Sequence, residues 1–407
     1  MKARITALFL LAAIAATEST RCTNNGKAIY NECGERCICT NSRLIQCTRI
    51  RRDFYSMPWG ERLRFVRALL TASSKEPYKM EYEKLVAIHT SQFDKGIHTK
   101  TQFLPWHRWY LMKMENILRK IDCRVTIPYW DWSLFSGQPW RKQLNDIFSS
   151  APWSLGGNGG LGMCVTDGPF NKYSWKTTSS NEGECLKRKF NGNPPDIVAV
   201  AEVLKYDSNQ FDEFEIGLRD GLHNNMHCRI GGSGGTMCSK SSANAPEFLL
   251  HHGFTDKLWN DWQKKGSNYK NAYFSRLNDK MFGTAGARIR DYIDLGNHGD
   301  IRVQYEDPLH SNFHNLHKDL QQLEMKDLQA LKRRKFTPTN SLEFKVFMVN
   351  RKEQAVVKAQ QNSLEPKKVL SSKVHLSKAD KALGFRFIDL EKALKRKREF
   401  ELTKKGI

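Results

Sequence analysis

The sequence predicts a mainly α-helical domain with a small cysteine-rich segment before it and a basic tail after it. Three observations predict this. Apolar residues recur at helical spacing in several stretches, such as Leu63, Val66, Leu69 and Leu70, or Leu111, Met114 and Leu118. Histidines sit at helical intervals: His223 and His227 are four apart, and Phe248, His252 and Asp256 follow at i, i+4 and i+8. The ends differ in composition, with Cys22, Cys33, Cys37, Cys39 and Cys47 crowded near the start and 23 Lys plus Arg against 11 Asp plus Glu in residues 318–407. A chain of 407 residues is long enough for one large cored domain plus such appendages.

Taken in order, Met1 to Arg4 is a short basic start and Ile5 to Ala16 a mostly apolar run. Residues 1–16 read as a secretory signal peptide, too short to span a bilayer, and no later run approaches eighteen apolar residues. The mature chain is therefore expected to be exported and soluble. No Asn-x-Ser/Thr sequon is present. Ten cysteines in an exported chain favour disulfides. Five lie in residues 17–50 and five beyond (Cys123, Cys164, Cys185, Cys228, Cys238), so full pairing requires at least one bridge between the two groups. A zinc site is the alternative for the first cluster, against which stand its irregular spacing and the exported context. The segment 17–50 reads as loops stapled by bridges, 51–306 as the main domain and 307–407 as a basic extension.

Within the domain, Glu61 to Leu70 forms a helix, and a second ends at His89, with Tyr82 and Leu85 on its face. A loop carries His98, and a third helix contains His107 shortly after Pro105, a residue tolerated in a first turn. Asp131, flanked by Trp130 and Trp132, reads as a hydrogen-bond hub. Residues 150–195, rich in Gly, Asn, Ser, Thr and Pro, read as long loops that shape the mouth of a site. Another helical section runs into His223-Asn-Asn-Met-His227 and stops at Gly231 to Gly235. The last carries His252 and continues through Leu258, Trp259 and Trp262.

Six histidines thus fall into two sets, His89, His98 and His107, then His223, His227 and His252. Nitrogen-only ligation suits copper or zinc rather than calcium or magnesium. The zinc metalloprotease pattern needs Glu directly after the first His of the pair, where this chain has Asn224. Two sets of three argue for two metals acting together on one small molecule. The net charge of +22, and of +12 in residues 318–407 (23 minus 11), attracts polyanions. With no nucleic-acid recognition motif, acidic matrix polymers or membrane surfaces are the expected partners, and solubility alone is the plain alternative.

The run His98-x4-Phe103-Leu-Pro-Trp-His107-Arg108-x2-Leu111-x3-Glu115 resembles the first copper signature of the tyrosinase and hemocyanin (type 3 copper) family. Pro246-Glu-Phe248-x2-His251-His252-x3-Asp256 is similar to the second, Pro128 to Trp132 (PYWDW) is typical of the family, and Val303-x-Tyr305 resembles the tyrosine motif that ends its catalytic domain. The wording of Ser242 to Phe254 looks most like secreted shell and mantle tyrosinases of molluscs. The resemblance implies a four-helix-bundle type 3 copper core with long loops. It implies two copper ions held by His89, His98, His107, His223, His227 and His252, and dioxygen as co-substrate. The implied activity is that of a secreted copper oxidoreductase, a tyrosinase or catechol oxidase. It would turn small phenols, or protein-bound tyrosine and DOPA, into o-quinones for matrix cross-linking or melanin-type pigmentation. A hemocyanin-like oxygen carrier and a matrix-binding structural protein with a vestigial site are the two other classes. A basic tail is a poor match to the β-rich domain of a carrier, and six intact histidines argue against a relic.

Oxidising an o-diphenol requires binding and electron transfer, whereas hydroxylating a monophenol also requires a base. In the family an upstream Glu and an Asn after the first ligand of the second copper supply it. Asn224 is present, and the upstream positions hold Arg219 and Asp220, so Asp220 becomes the candidate and diphenol oxidation the firmer expectation. The resemblance implies that Phe248 helps gate the pocket. Glu115 and Asp256 are expected to aim the rings of His107 and His252, and His251, about 100° round the helix from His252, to be structural. Gly96 stands where many members carry a cysteine joined to the second ligand, so no thioether is expected. Ala245-Pro246 replaces the usual Asp-Pro, losing a helix N-cap worth about 1 kcal/mol. His310, His314 and His317 also have helical spacing but no second group.

Overall fold

The computed structural model describes residues 22–333, except 24, 99, 100, 179–182, 274, 275, 297 and 309–318. The signal-like start, His310, His314 and His317, and most of the basic extension lie outside the described residues.

Each helix follows from its apolar spacing. α1 (Trp59–Ser74) buries Phe65, Val66, Leu69 and Ala72 on one side. α2 (Tyr78–Gln92) buries Tyr82, Leu85, Val86 and His89, which recur at three to four residues. α3 (Phe103–Ile121), with Pro105 in its first turn, is buried on nearly all sides and forms the centre of the molecule. α4 (Ile197–Leu204) is capped by Asp196, which accepts from Ala199 N–H at 2.9 Å. α5 (Phe211–Ile216) passes through a seven-residue π-helical segment (217–223) into α6 (Asn224–Gly231). α7 (Pro246–Gln263) starts on Pro246 with no side-chain cap at Ala245, as the missing aspartate predicts. α8 (Ser267–Lys270) and α9 (Met325–Arg333) complete the set. The chain is mainly α, with α2, α3, α6 and α7 bringing the histidines to one core. α9 and the residues before it return to α4, where Leu320 and Leu328 pack on Ile197, Val198 and Ala201.

The cysteine-rich segment is a sheet rather than stapled loops. β1 (Ala28–Tyr30), β2 (Arg36–Thr40) and β3 (Arg43–Arg51) run antiparallel, and β4 (Ile301–Tyr305) pairs in parallel with β3, from Cys47 opposite Ile301 to Arg51 opposite Tyr305. Cys22–Cys39 and Cys37–Cys47 lie within this unit, and Cys33–Cys123 is the bridge between the two groups that the odd counts require. Cys164–Cys185 and Cys228–Cys238 staple the long loops, and no cysteine is free.

Between Ser136 and Asp196 the described chain has only a short 3-10 turn, yet much of it is buried around Arg188. That guanidinium donates to both carboxylate oxygens of Glu247 at 3.0 and 2.7 Å and to the carbonyls of Leu155, Gly156 and Gly157, fixing the loop to the start of α7. Asp131 caps the 3-10 turn after it, accepting from Ser133 N–H and Oγ–H, the hub role expected of it.

Glu115 and Asp256 do not aim histidines; both are engaged by buried arginines. Arg51 of β3 donates Nε–H to Glu115 at 3.0 Å, and one of its terminal nitrogens reaches Asp256 at 3.4 Å and Tyr305 Oη at 3.0 Å. Arg49 adds a bond to Glu115 at 3.2 Å, Arg108 holds Asp256 at 2.6 Å, and Tyr305 O–H donates to Asp256 at 2.7 Å. Burial alone would push the Glu115 carboxyl up, but Arg51 and Arg49 hold it below its ordinary value. The Arg108 guanidinium also lies over the Trp259 ring at 3.7 Å. Removing one partner of such a network leaves uncompensated buried charge. Glu115→Gln is therefore expected to lower stability by about 3–5 kcal/mol in urea unfolding. Glu81→Gln, whose partner Lys120 is exposed, should change it by less than about 1 kcal/mol.

Candidate metal centre

The first set of histidines is seated on two helices and a turn. His89 lies in the last turn of α2 and is fully buried, and His107 lies near the start of α3. His98 follows a 3-10 turn (Phe93–Lys95) and Gly96, and is only partly buried. The ring centroids are 5.0–5.8 Å apart: His89 to His98 5.4 Å, His89 to His107 5.8 Å, His98 to His107 5.0 Å. His107 Nδ1 faces the carbonyl of Phe103 at 2.8 Å, so it carries the proton and Nε2 keeps its lone pair. That Nε2 and both ring nitrogens of His89 are buried with no hydrogen-bond partner among the described residues.

The second set is drawn tighter. Nε2 of His227 lies 3.0 Å from Nε2 of His223 and 3.2 Å from that of His252, and the last two are 3.3 Å apart. His227 Nδ1–H donates to the carbonyl of Met237 at 2.7 Å, in a loop tied to α6 by Cys228–Cys238. His223 Nδ1 faces two acceptors, Asn224 Oδ1 at 3.0 Å and the Arg219 carbonyl at 3.3 Å, so it too carries the proton. The π-helical segment makes this arrangement: Asn224 N–H bonds to Arg219 five residues back. His251 differs. Trp132 Nε1–H donates to its Nδ1 at 3.2 Å, so in the neutral ring the proton is on Nε2, and His251 stacks on His223 at 5.1 Å.

The two sets meet where His107 and His252 stack, 4.4 Å apart and 11° from parallel. Phe248 lies between them, 4.1 Å from His252 and 5.0 Å from His89, and is fully buried. It is a wall of the site and not an exposed lip. Burial foremost, then the neighbouring histidines, holds His89, His107, His223 and His252 well below the ordinary histidine value, and brings His98 to about 3. Burial brings His227 to about 4. Neutral imidazoles whose Nε2 lone pair is left open, as contacts at Nδ1 leave it in His107, His223 and His227, are what a copper ion accepts; the two groups of three fit two such ions.

Residues 79–265 match the model of the common central domain of tyrosinase. The chain is 30% identical over 236 residues to a tyrosinase of Streptomyces lincolnensis, covering 53% of this chain and 83% of that one. It is 31% identical over 263 residues to a tyrosinase of Streptomyces glaucescens, covering 57% and 91%. The chain belongs to the tyrosinase family. The fold is similar to that of a polyphenol oxidase from Thermothelomyces thermophila, with a TM-score of 0.51 at 23% identity over 66% of this chain and 90% of that one. Membership makes this chain a copper-dependent oxidoreductase with a type 3 binuclear copper centre, in a family that acts on phenols.

All six histidines singled out in this tyrosinase-family sequence come together, as does Phe248. Asn224 and Asp220 lie on the exposed side of the same helical run. Asn224 Nδ2–H donates to Asp220 Oδ1 at 2.9 Å, and Asp220 is 47% exposed and paired with Arg219 at 2.9 Å. A second upstream carboxylate, Glu215, escaped the sequence reading. It is fully buried, eight residues before His223, and pairs with Arg219 at 2.8 Å. Its position two residues before a π turn explains the omission, because spacing rules assume an uninterrupted α-helix. Trp132→Phe strips His251 Nδ1 of its donor and is expected to destabilise the metal-free chain by about 1–3 kcal/mol in urea unfolding.

Proposed function

We propose that this chain is an exported o-diphenol oxidase whose two coppers are held by His89, His98 and His107 and by His223, His227 and His252. The observation that carries the reading is the meeting of two histidine sets, buried except at His98, with three Nε2 atoms of one set lying 3.0–3.3 Å from each other. When bound, copper supplies the redox chemistry, taking up dioxygen and the electrons of the phenol. Each dioxygen would convert two o-diphenols to two o-quinones, with two waters released.

The protein's part is to seat the ring, exclude water and handle the proton. Phe248 presents an apolar wall to the ring of the phenol. The substrate enters on the side where His98 is partly exposed and Asn224 and Asp220 face solvent. Asp220 holds the Asn224 amide so that its oxygen faces His223 Nδ1–H, which keeps the His223 ring aimed. For a monophenol, the Asp220 carboxylate takes the phenolic proton through a water positioned by Asn224. The basic tail attaches the enzyme to an acidic matrix polymer, where quinones cross-link or pigment it. The signal-like start and five disulfides support export. No helix among the described residues is long and apolar enough to cross a membrane.

Oxygen uptake by the copper-loaded chain tests the reading. Uptake is expected with L-DOPA, and Asp220→Asn should lower the rate with L-tyrosine by about 10²-fold or more while leaving that with L-DOPA within about threefold. Equal losses on both substrates would remove Asp220 from the proton path. No uptake with either, despite two bound coppers, would favour an oxygen carrier. Binding to polyglutamate should weaken steeply with salt and vanish when residues 334–407 are removed; binding indifferent to both would discard the anchor.

A further inference from the structure

Of the first three histidines, His98 alone has no helix to hold it, yet its ring must stay in register with two that do. The loop between Asp279 and Ile289 supplies the missing support. It is closed on itself by Met281 N–H to Ala287, Ile289 N–H to Asp279, and Thr284 Oγ–H to Met281. Its middle is fastened to the first turn of α3 by two side chains. Gln102 stands at the N-cap position but caps nothing; instead its Oε1 accepts from Phe282 N–H at 2.9 Å and its Nε2–H reaches the Lys280 carbonyl at 3.4 Å. Trp106 Nε1–H donates to the Phe282 carbonyl at 2.8 Å.

So fastened, the loop touches the supports of all three rings. The Phe282 ring lies over Gly96, two residues before His98: Gly96 has φ +129°, and a Cβ there would sit 2.7 Å from Phe282 Cε2. Gly283, at φ +70°, fits against the end of α2, where a Cβ would meet Gln92 Cγ at 2.8 Å and Ile88 Cγ2 at 3.0 Å on either side of His89. Trp106, whose N–H the loop holds, has its ring 5.8 Å from His89 and 4.9 Å from His107.

We propose that this loop is a clasp that positions the first histidine set, with Phe282, Gln102 and Trp106 as positioning residues that touch no substrate. The proposal rests on the reading that this set holds one copper. Phe282 is 42% exposed, so its ring lies over the Gly96 turn from outside and is not part of the deep core. Losing it frees the Gly96 turn, and with it His98, without emptying the centre of the bundle.

The test is the release of copper from the loaded full chain to excess chelator, followed in time together with copper per chain. Wild type is expected to hold two ions, and His98→Ala one. Phe282→Ala should speed release of one ion by about tenfold or more and leave the other unchanged, with Phe282→Leu restoring the wild-type rate to within about threefold. Gln102→Leu, which keeps its bulk but loses both bonds, should act in the same direction, and stands in if Phe282→Ala does not fold. In the His98→Ala background, Phe282→Ala should leave release of the remaining ion unaltered. Unchanged release in both variants, or equal acceleration of both ions, overturns the clasp. Two ions retained by His98→Ala would instead overturn the ligand reading.

Discussion

Arg51 is the pivot of the molecule. Its guanidinium is fully buried and touches Glu115 on α3, Asp256 on α7 and Tyr305 on β4. A charge in that position is tolerable only while every partner is in place. α3 carries His107 and α7 carries His252, the two rings that stack at the junction of the histidine sets. The separation of the two helices, and so of the two sets, is constrained by one ion network. The strand pairing that puts Arg51 opposite Tyr305 fixes its register.

Around that frame, the rings are aimed by oxygen atoms more than by charged side chains. His107 gives its Nδ1 proton to a carbonyl of its own helix, His227 to a carbonyl of a disulfide-tied loop, and His223 faces a neighbouring amide and the Arg219 carbonyl, which also accepts from Asn224 N–H across the π turn. A carbonyl orients the ring and fixes its tautomer without adding a formal charge beside the metal. The carboxylates that sequence spacing offers for this task, Glu115 and Asp256, hold the scaffold instead. His251 shows the opposite polarity: an indole N–H on Nδ1 reverses its tautomer and sets it apart from its neighbour His252.

Much of this was legible beforehand. Spacings of three and four residues placed His107, His223, His227 and His252 on helices, and odd cysteine counts required a bridge such as Cys33–Cys123. What was not legible depends on contacts with no local signature. Arg51 finds Tyr305 254 residues away, and Phe282 meets Gln102 across 180. The π segment hid Glu215 because one extra residue in a turn changes which side chains share a face, and nothing in Gly217 to His223 announces it. Alternation in the cysteine-rich segment was masked by the cysteines themselves, so that three strands read as loops.

The parallel pairing of β3 with β4 also sets an order of events in the life of the chain. Antiparallel hairpins such as β2–β3 can close as soon as they are made, but β3 must wait for Ile301 to Tyr305. Until those residues have been made, Arg51 and Asp256 lack their common neighbour Tyr305. The seat of Arg51 is thus built from both ends of the domain, and the network between α3 and α7 is complete only when the last strand has paired with the third.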